Sequence, residues 1–502
     1  MNRIITSSHQ ELLVSDKANA YRWPTAFCWL AIIALFFTAC DTGSPLDNLP
    51  PDTKIFVEQI TLSGTDRLNS VVRLRWSGED QDGYVKGFEL SFDEMDWDFV
   101  QQTDSTFRFD IPVGSDTTDV SFFVRAIDDD DTADPSPAFL SVPIRNTPPT
   151  VKFDSLTSIP DTVYSVWSVL WRAEDLDSNE TLDSLFIRLN DGAWFPLDRF
   201  STFASFVPEA PKQTGSQNAQ LYLGSNASLQ DNPLQDLRID ADNQLYIQAR
   251  DIAGSLSEID SSKVFYVKRQ SSDLLVVDAH GSATADDTYR SILSNLGISY
   301  DYYPITEQLP PFWDPTVGFF LGLYDRVFWY SDGEQLSGLG ERIAMEVGSI
   351  QIQEYLNAGG KIFFTAKFAN LFPNEDAPNQ STVFGFSPMD SLSTSSGQAR
   401  LPKDSLAVPQ GDFANRFPAL VSSTFITGAD PFYSKDPIND IYKGQIAKVN
   451  NWIGPTTIAA RTVFSNGKTN QVFFSLELHK LNQDLPALSQ CFDVVLNQEF
   501  DW

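Results

Sequence analysis

RWSGEDQDGYVKGFELSFDEMDW, residues 75–97, aligns with LWRAEDLDSNETLDSLFIRLNDGAW, residues 170–194. In each stretch a tryptophan, an acidic turn, an alternating strand and a second tryptophan follow in that order. Further on, FVRAIDDDD (123–131) aligns in the same way with YIQARDIAG (246–254). Period-two runs dominate both copies: Phe88, Leu90 and Phe92 alternate with Glu89, Ser91 and Asp93, the pattern of a strand with one buried face. Turn residues recur at short intervals and no amphipathic helix intervenes, so the repeat predicts two all-β sandwiches.

The repeated order of signals resembles tandem fibronectin type III or related immunoglobulin-like domains, spanning 53–147 and 148–269, with Pro148-Pro149 stiffening the joint. The second copy carries a polar insertion, PKQTGSQNAQLYLGSNASLQDNPLQ (211–235), expected as a long loop outside the core. In such sandwiches the B–C and F–G loops meet at one pole. Glu79, Asp80, Asp82, Asp128, Asp129, Asp130 and Asp131 would then crowd together in the first copy, and Glu174, Asp175, Asp177 and Asp251 in the second, near the linker. Two readings stay open. Oxygen-rich clusters suit calcium, yet Asp is also an ordinary turn residue and no EF-hand spacing is present.

From about Ser271 the pattern changes. DLLVVD is a short buried strand, and DDTYRSILSNLG places Tyr289, Ile292, Leu293 and Leu296 on one helical face, with an Asp at the start and Gly297 as the stop. ISYDYYPI and YDRVFWYSDG read as strands, LGERIAMEVGSIQIQEYLNAGG as a helix closed by two glycines, and KIFFTA as another strand. Alternation of this kind predicts an α/β doubly wound domain over 270–502, although 373–450 takes no assignment. TTIAARTVFSNGKTNQVFFSLELHKL gives two strands joined by Asn466-Gly467, a hairpin turn.

EYLNAGGKIFFTA carries a second resemblance, to the flavodoxin-like fold of class I glutamine amidotransferases. In that family the strand after this turn leads to a nucleophile elbow, where a cysteine projects from a sharp turn. Here Thr365, Ala366, Lys367 and Phe368 follow, without a thiol. Where the family has His-x-Glu, this chain has Glu477-Leu478-His479, the reverse order. The resemblance therefore implies a catalytically degenerate domain with no amidotransferase activity. The remaining chemistry lies in Asp278, His280, Glu477 and His479; the two histidines each follow a predicted strand, where ligands of open α/β sheets bind, with the acids nearby. They would form a metal site or an acid–base pair, or be hydrogen-bonded locally, with Asp286 capping its helix.

Bulk composition places these domains. The 502 residues suffice for about three domains. A formal net charge of −32, with no basic stripe, argues against nucleic acid as a partner. Residues 1–39 have the lengths of a signal peptide, ending in the apolar run TAFCWLAIIALFFTA just before Cys40. Phe37-Thr38-Ala39-Cys40 resembles a bacterial lipobox, with Phe in place of the usual Leu; the resemblance implies a lipid on Cys40 and a flexible tether over 40–52. Cys28 leaves with the signal, so Cys491 alone remains beside Cys40, with no intramolecular disulfide. Leu485, Leu488, Phe492 and Val495 form a helical face around Cys491, which reads as a packing thiol.

The whole reads as a lipid-anchored cell-envelope protein of the bacterial outer membrane, facing periplasm or exterior. It would be non-catalytic, would need no cofactor with calcium as the one exception, and would bind an envelope protein or glycan. Two rivals stand beside it: an extracellular hydrolase acting through His280 and His479 with nearby carboxylates, and a calcium-stiffened adhesive surface protein.

Overall fold

The computed structural model describes residues 47–501 except 58–66, 113, 156–158, 178, 306–314, 332–343, 369–381 and 396. The leader, Cys28 and Cys40 lie outside the described residues. Among those described, no helix is long and apolar enough to cross a membrane. The described chain falls into two compact units: residues 47–57 with 74–105 and 121–141, and residues 67–73 with the described parts of 106–120 and 142–501.

In the first unit, Asp52–Val57 pairs antiparallel with Leu74–Glu79, and Val85–Ser91 pairs antiparallel with both Asp98–Val100 and Phe123–Asp128. Trp76, first of the repeat tryptophans, is fully buried; its indole N–H donates to the Gln102 carbonyl at 2.9 Å and its ring meets Phe88 edge-on. Burying so large a ring is favourable only because its one polar atom finds an acceptor.

The second unit repeats this device. Trp171 donates to the Ser201 carbonyl at 2.7 Å within a sheet built from residues 150–153, 167–174, 203–208 and 215–223. A second antiparallel sheet, of residues 195–198, 182–189, 245–251 and 260–261, closes the sandwich over Val169, Leu185, Ile187 and Ile247. The polar insertion does not form the expected loop. Residues 215–223 and 234–239 are paired strands, and Ala219, Leu221, Leu234 and Leu237 enter the core. The reason is local: Ala219 and Leu221 alternate with glutamine and tyrosine, so one face is apolar despite the polar average.

Within the second unit, the Ser70 amide donates to Asp177 Oδ1 at 3.0 Å, Arg108 pairs with Glu180 at 2.6 Å, and the Gly114 amide donates to the Ala253 carbonyl at 3.2 Å.

The remainder of the second unit is a mixed sheet, whose elements we number separately. β1 (Leu274–Ala279), β2 (Asp301–Pro304), β3 (Arg326–Ser331), β4 (Lys361–Ala366) and β9 (Thr469–Phe474) are parallel, adjacent in the order β2-β1-β3-β4-β9. β8 (Thr457–Val463) pairs antiparallel with β9 through the Asn466-Gly467 turn, Gly467 adopting φ +80°. β7 (Asp440–Gly444), β5 (Leu406–Pro409) and β6 (Leu420–Val421) continue the sheet antiparallel. The region is thus more strand-rich than a doubly wound alternation, because 382–450, unassigned from sequence, supplies edge strands in place of helices.

Helices nevertheless cover both faces of the parallel part. α1 (Ala283–Asn295) and α4 (Leu485–Asp493) pack Tyr289, Ile292, Leu293, Leu488 and Phe492 against Val276, Phe328 and Phe363. α2 (Thr316–Gly322) and α3 (Ser349–Asn357) pack Val317, Leu321, Ile352 and Leu356 against Leu275, Val327 and Phe364 on the other face. Strands buried on both faces must be apolar throughout, which is why LLVVDA carries no alternation. α1 begins earlier than the sequence predicts, with Ser282 at its N-cap, and closes as a Schellman turn at Gly297, φ +68°.

Candidate functional site

The carboxyl ends of β1 and β9 supply the site. Asp278, the fifth residue of β1, turns its carboxylate back to accept the His280 amide at 2.9 Å, the Gly281 amide at 3.2 Å and the Tyr302 hydroxyl at 2.6 Å. A carboxylate so engaged shapes the turn; Gly281, at φ +69°, completes it and sends the chain into α1. Asp286 does not cap the helix, since it lies inside the first turn. It accepts from Arg290 at 2.8 Å and from the Tyr330 hydroxyl at 3.1 Å.

Beyond β9, a tight turn places Glu477 and His479 on the same side as His280. Thr365, the penultimate residue of β4, fixes that turn: its hydroxyl donates to the Leu476 carbonyl at 2.7 Å and accepts the Leu478 amide at 3.0 Å. The hydroxyl nearest the position of an elbow nucleophile is therefore committed to architecture. The buried Tyr289 hydroxyl accepts the His479 amide at 2.9 Å, tying α1 to the turn.

Of the four sequence-predicted residues, three converge and Asp278 does not. One ligand atom each of His280, Glu477 and His479 lies within 4.8 Å of the others. His280 Nε2 is 3.7 Å from Glu477 Oε1, and the two imidazoles meet edge-on with centroids 5.1 Å apart. All three side chains are buried; His479 is 4% exposed and its Nδ1 has no hydrogen-bond partner among the described residues. Burial would raise the Glu477 carboxyl, but the adjoining His280 imidazole and Lys480, donating to both oxygens at 2.6 and 2.7 Å, pull it down to about 2. Burial, then the neighbouring His280, lowers His479 to about 4, so its imidazole is neutral at pH 7. Desolvation raises nearby Asp430, which accepts the Phe368 amide at 3.1 Å, to about 6. Sequence reasoning missed Lys480, Asp430, Tyr289 and Thr365. Only Lys480, adjoining His479, left any local signal.

Cys491 stays away from this chemistry. Its thiol is buried in the α1–α4 core and desolvation pushes it up to about 12.

The acidic loops form two further groups, each within one unit. In the first unit Asn48 Nδ2 donates to Asp128 Oδ2 at 2.6 Å, the Leu49 amide to Asp82 Oδ2 at 3.0 Å, and the amides of Asp130 and Thr132 to Asp128 Oδ1 at 3.0 and 2.7 Å. Glu79 pairs with Lys54, Asp131 with Lys86, and Asp129 accepts the Tyr84 amide at 3.0 Å. In the second unit Asn146 Nδ2 donates to Asp251 Oδ2 at 2.6 Å and the Thr147 amide to Asp177 Oδ2 at 2.8 Å. The Ser255 amide reaches Asp251 Oδ1 at 2.8 Å and the Thr181 hydroxyl Asp175 Oδ2 at 2.7 Å, while Glu174 pairs with Arg172. The readable signal was a repeated Asn-x-Pro-Pro, at 48–51 and 146–149.

No protein-family model matches the chain, and no curated protein matches it. Its solved neighbours are fibronectin type III-like domains. A two-domain fibronectin type III segment of chicken tenascin is 14% identical, covering 44% of this chain and 99% of that one at a TM-score of 0.20. Fibronectin(III)-like modules of Clostridium thermocellum CbhA are 12% identical over 43% of this chain and 94% of theirs, at 0.17. SGBP-B from a Bacteroides ovatus mixed-linkage glucan utilization locus, solved with a heptasaccharide, is 9% identical over 47% of this chain and 52% of its own, at 0.14. The sandwich architecture itself rests on the strand pairings and buried tryptophans above.

Proposed function

We propose that this chain is a lipid-anchored binding or scaffolding protein of the bacterial outer membrane, attached through Cys40. Its immunoglobulin-like sandwiches would carry a catalytically degenerate amidotransferase-like head that engages an envelope protein or glycan. The strand order β2-β1-β3-β4-β9, with helices on both faces, supports the flavodoxin-like reading of the head. The observation that carries the non-catalytic reading is at the end of β4. Thr365, Ala366 and Lys367 offer no thiol there, the Thr365 hydroxyl is engaged on both sides, and the remaining cysteine is buried in the core. Acyl transfer needs an activated nucleophile within reach of its base, and among the described residues the end of β4 supplies none.

The test combines anchoring and binding. Cys40→Ser should release the chain from the membrane fraction, and the purified full chain should retain envelope proteins or polysaccharides without consuming them or hydrolysing glutamine. Turnover of a retained polymer would overturn the reading. The hydrolase alternative has one specific observation in its favour, the convergence of His280, Glu477 and His479. Turnover lost in folded His280→Ala and His479→Ala variants would establish it instead.

A further inference from the structure

We infer that His280, Glu477 and His479 form a binding site for one divalent transition-metal ion of the zinc class, whether the head binds or cleaves its partner. Three donors reach one point from two separate strand ends: His280 after β1, and Glu477 and His479 after β9, with β3 and β4 lying between in the sheet. Two imidazoles and one carboxylate are a borderline-soft donor set, suited to zinc, cobalt or nickel and poorly to calcium or magnesium. Zinc bonds of ~2.0–2.1 Å in a tetrahedron hold ligand atoms roughly 3.4 Å apart. The pair at 3.7 Å is nearly at that spacing, and the widest, within 4.8 Å, closes by modest side-chain rotation.

A second, independent observation is the buried Nδ1 of His479, which no group among the described residues satisfies. Buried polar atoms almost always have a partner, and this imidazole also offers a ligand atom within 4.8 Å of those of Glu477 and His280, where a cation would take up a lone pair. The surroundings hold the ligands in position as metal sites require. Asp278 fixes the His280 turn, Tyr289 and Thr365 fix the Glu477–His479 turn, and none of these three side chains lies in the donor set.

Lys480 is the local competitor. Its ammonium contacts both Glu477 oxygens, so a metal and Lys480 cannot both take the carboxylate in full. The Lys480 side chain is 27% exposed, against 5% for Glu477, and has solvent to turn into as the ion enters. Removing that positive charge should therefore strengthen metal binding.

The test uses the full chain in detergent, purified without a histidine tag. Zinc titration by calorimetry should show one site, and cobalt should give the visible absorption of a low-coordinate nitrogen–oxygen complex. His280→Ala and His479→Ala should each weaken zinc binding by about a hundredfold, and Lys480→Met should tighten it by about tenfold. The Lys480 variant and the cobalt spectrum of the unsubstituted chain retain the test if a histidine variant fails to fold. No zinc binding at micromolar concentration by the folded chain, or binding unchanged in either folded histidine variant, would overturn the site, as would weaker binding in Lys480→Met.

Discussion

The acidic pole of the second sandwich and the imidazole pair of the head invert each other. The pole gathers Asp175, Asp177 and Asp251, all buried, and has the composition of a cation site. Yet both oxygens of each carboxylate receive a hydrogen bond from the protein: Asp177 from the Ser70 and Thr147 amides, Asp251 from Asn146 and the Ser255 amide, Asp175 from the Asp177 amide and the Thr181 hydroxyl. Among the described residues the head gathers two imidazoles and one acid, and one buried imidazole nitrogen lacks a partner there. The difference teaches that a cluster of ligand-type residues points to a metal where at least one of its buried donor atoms is left without a protein partner. At the joint they act as acceptors for backbone amides that would otherwise be buried unpaired.

The largest effect should follow from breaking the joint at its most buried acceptor. Asp177→Ala removes the acceptor of two amides at a site 1% exposed. Each orphaned donor costs about 1–3 kcal/mol, so the second sandwich should lose about 4 kcal/mol, read as an earlier unfolding transition by calorimetry. An unchanged transition would mean that solvent reaches the joint and that the contrast with the head is false. The head should respond to pH next. His479 titrates near 4, below its ordinary 6.5, so between those values the unfolded chain holds the extra proton. Stability contributed by the neutral imidazole is complete above about pH 6.5 and is lost as pH falls to 4, amounting to about 3 kcal/mol. Asp430, raised to about 6 from its ordinary 3.8, adds stability as pH falls over much of the same window, so the His479 contribution is read as a difference: the denaturant midpoint of the unsubstituted chain should fall relative to that of His479→Gln between pH 6.5 and 4.

How far the sequence disclosed this depended on range. Period-two alternation and the repeated tryptophans marked both sandwiches because each signal is local, and LLVVDA marked β1 because burial on two faces leaves no polar alternation. The insertion at 211–235 misled because its composition is polar while its alternation is not: Ala219 and Leu221 reach the core from a run of glutamines. Residues 382–450 escaped because strands of three to five residues, such as Gln398–Arg400 and Phe432–Ser434, carry too few positions to show a period. At the site, His280 and His479 were visible as strand-end residues. Their convergence was not, since it depends on β9 lying three strands from β1 in the sheet. Nor could Asp278 be told from a ligand, because its donors include Tyr302, 24 positions away.

The smallest effects concern the two asparagines and calcium, and they test whether the poles are joints or ion sites. Asn48 and Asn146 make the same bond, 2.6 Å to Asp128 and to Asp251, but the two poles differ in what surrounds it. Asp175 and Asp177 are buried, whereas their counterparts Asp80 and Asp82 are half-buried and exposed. Asn146→Ala should therefore cost about 2 kcal/mol, as a lost bond to a buried charge, and Asn48→Ala about 1, since water replaces part of what is removed. Calcium at 1 mM should move neither melting transition by more than about 1 °C, because coordination by six to eight oxygens would have to strip amide donors from the carboxylates. If calcium instead restored the loss in Asn146→Ala, the amide would be standing in for a cation. The pole would then be an ion site that the linker had occupied, and the calcium-stiffened adhesive reading would replace the joint.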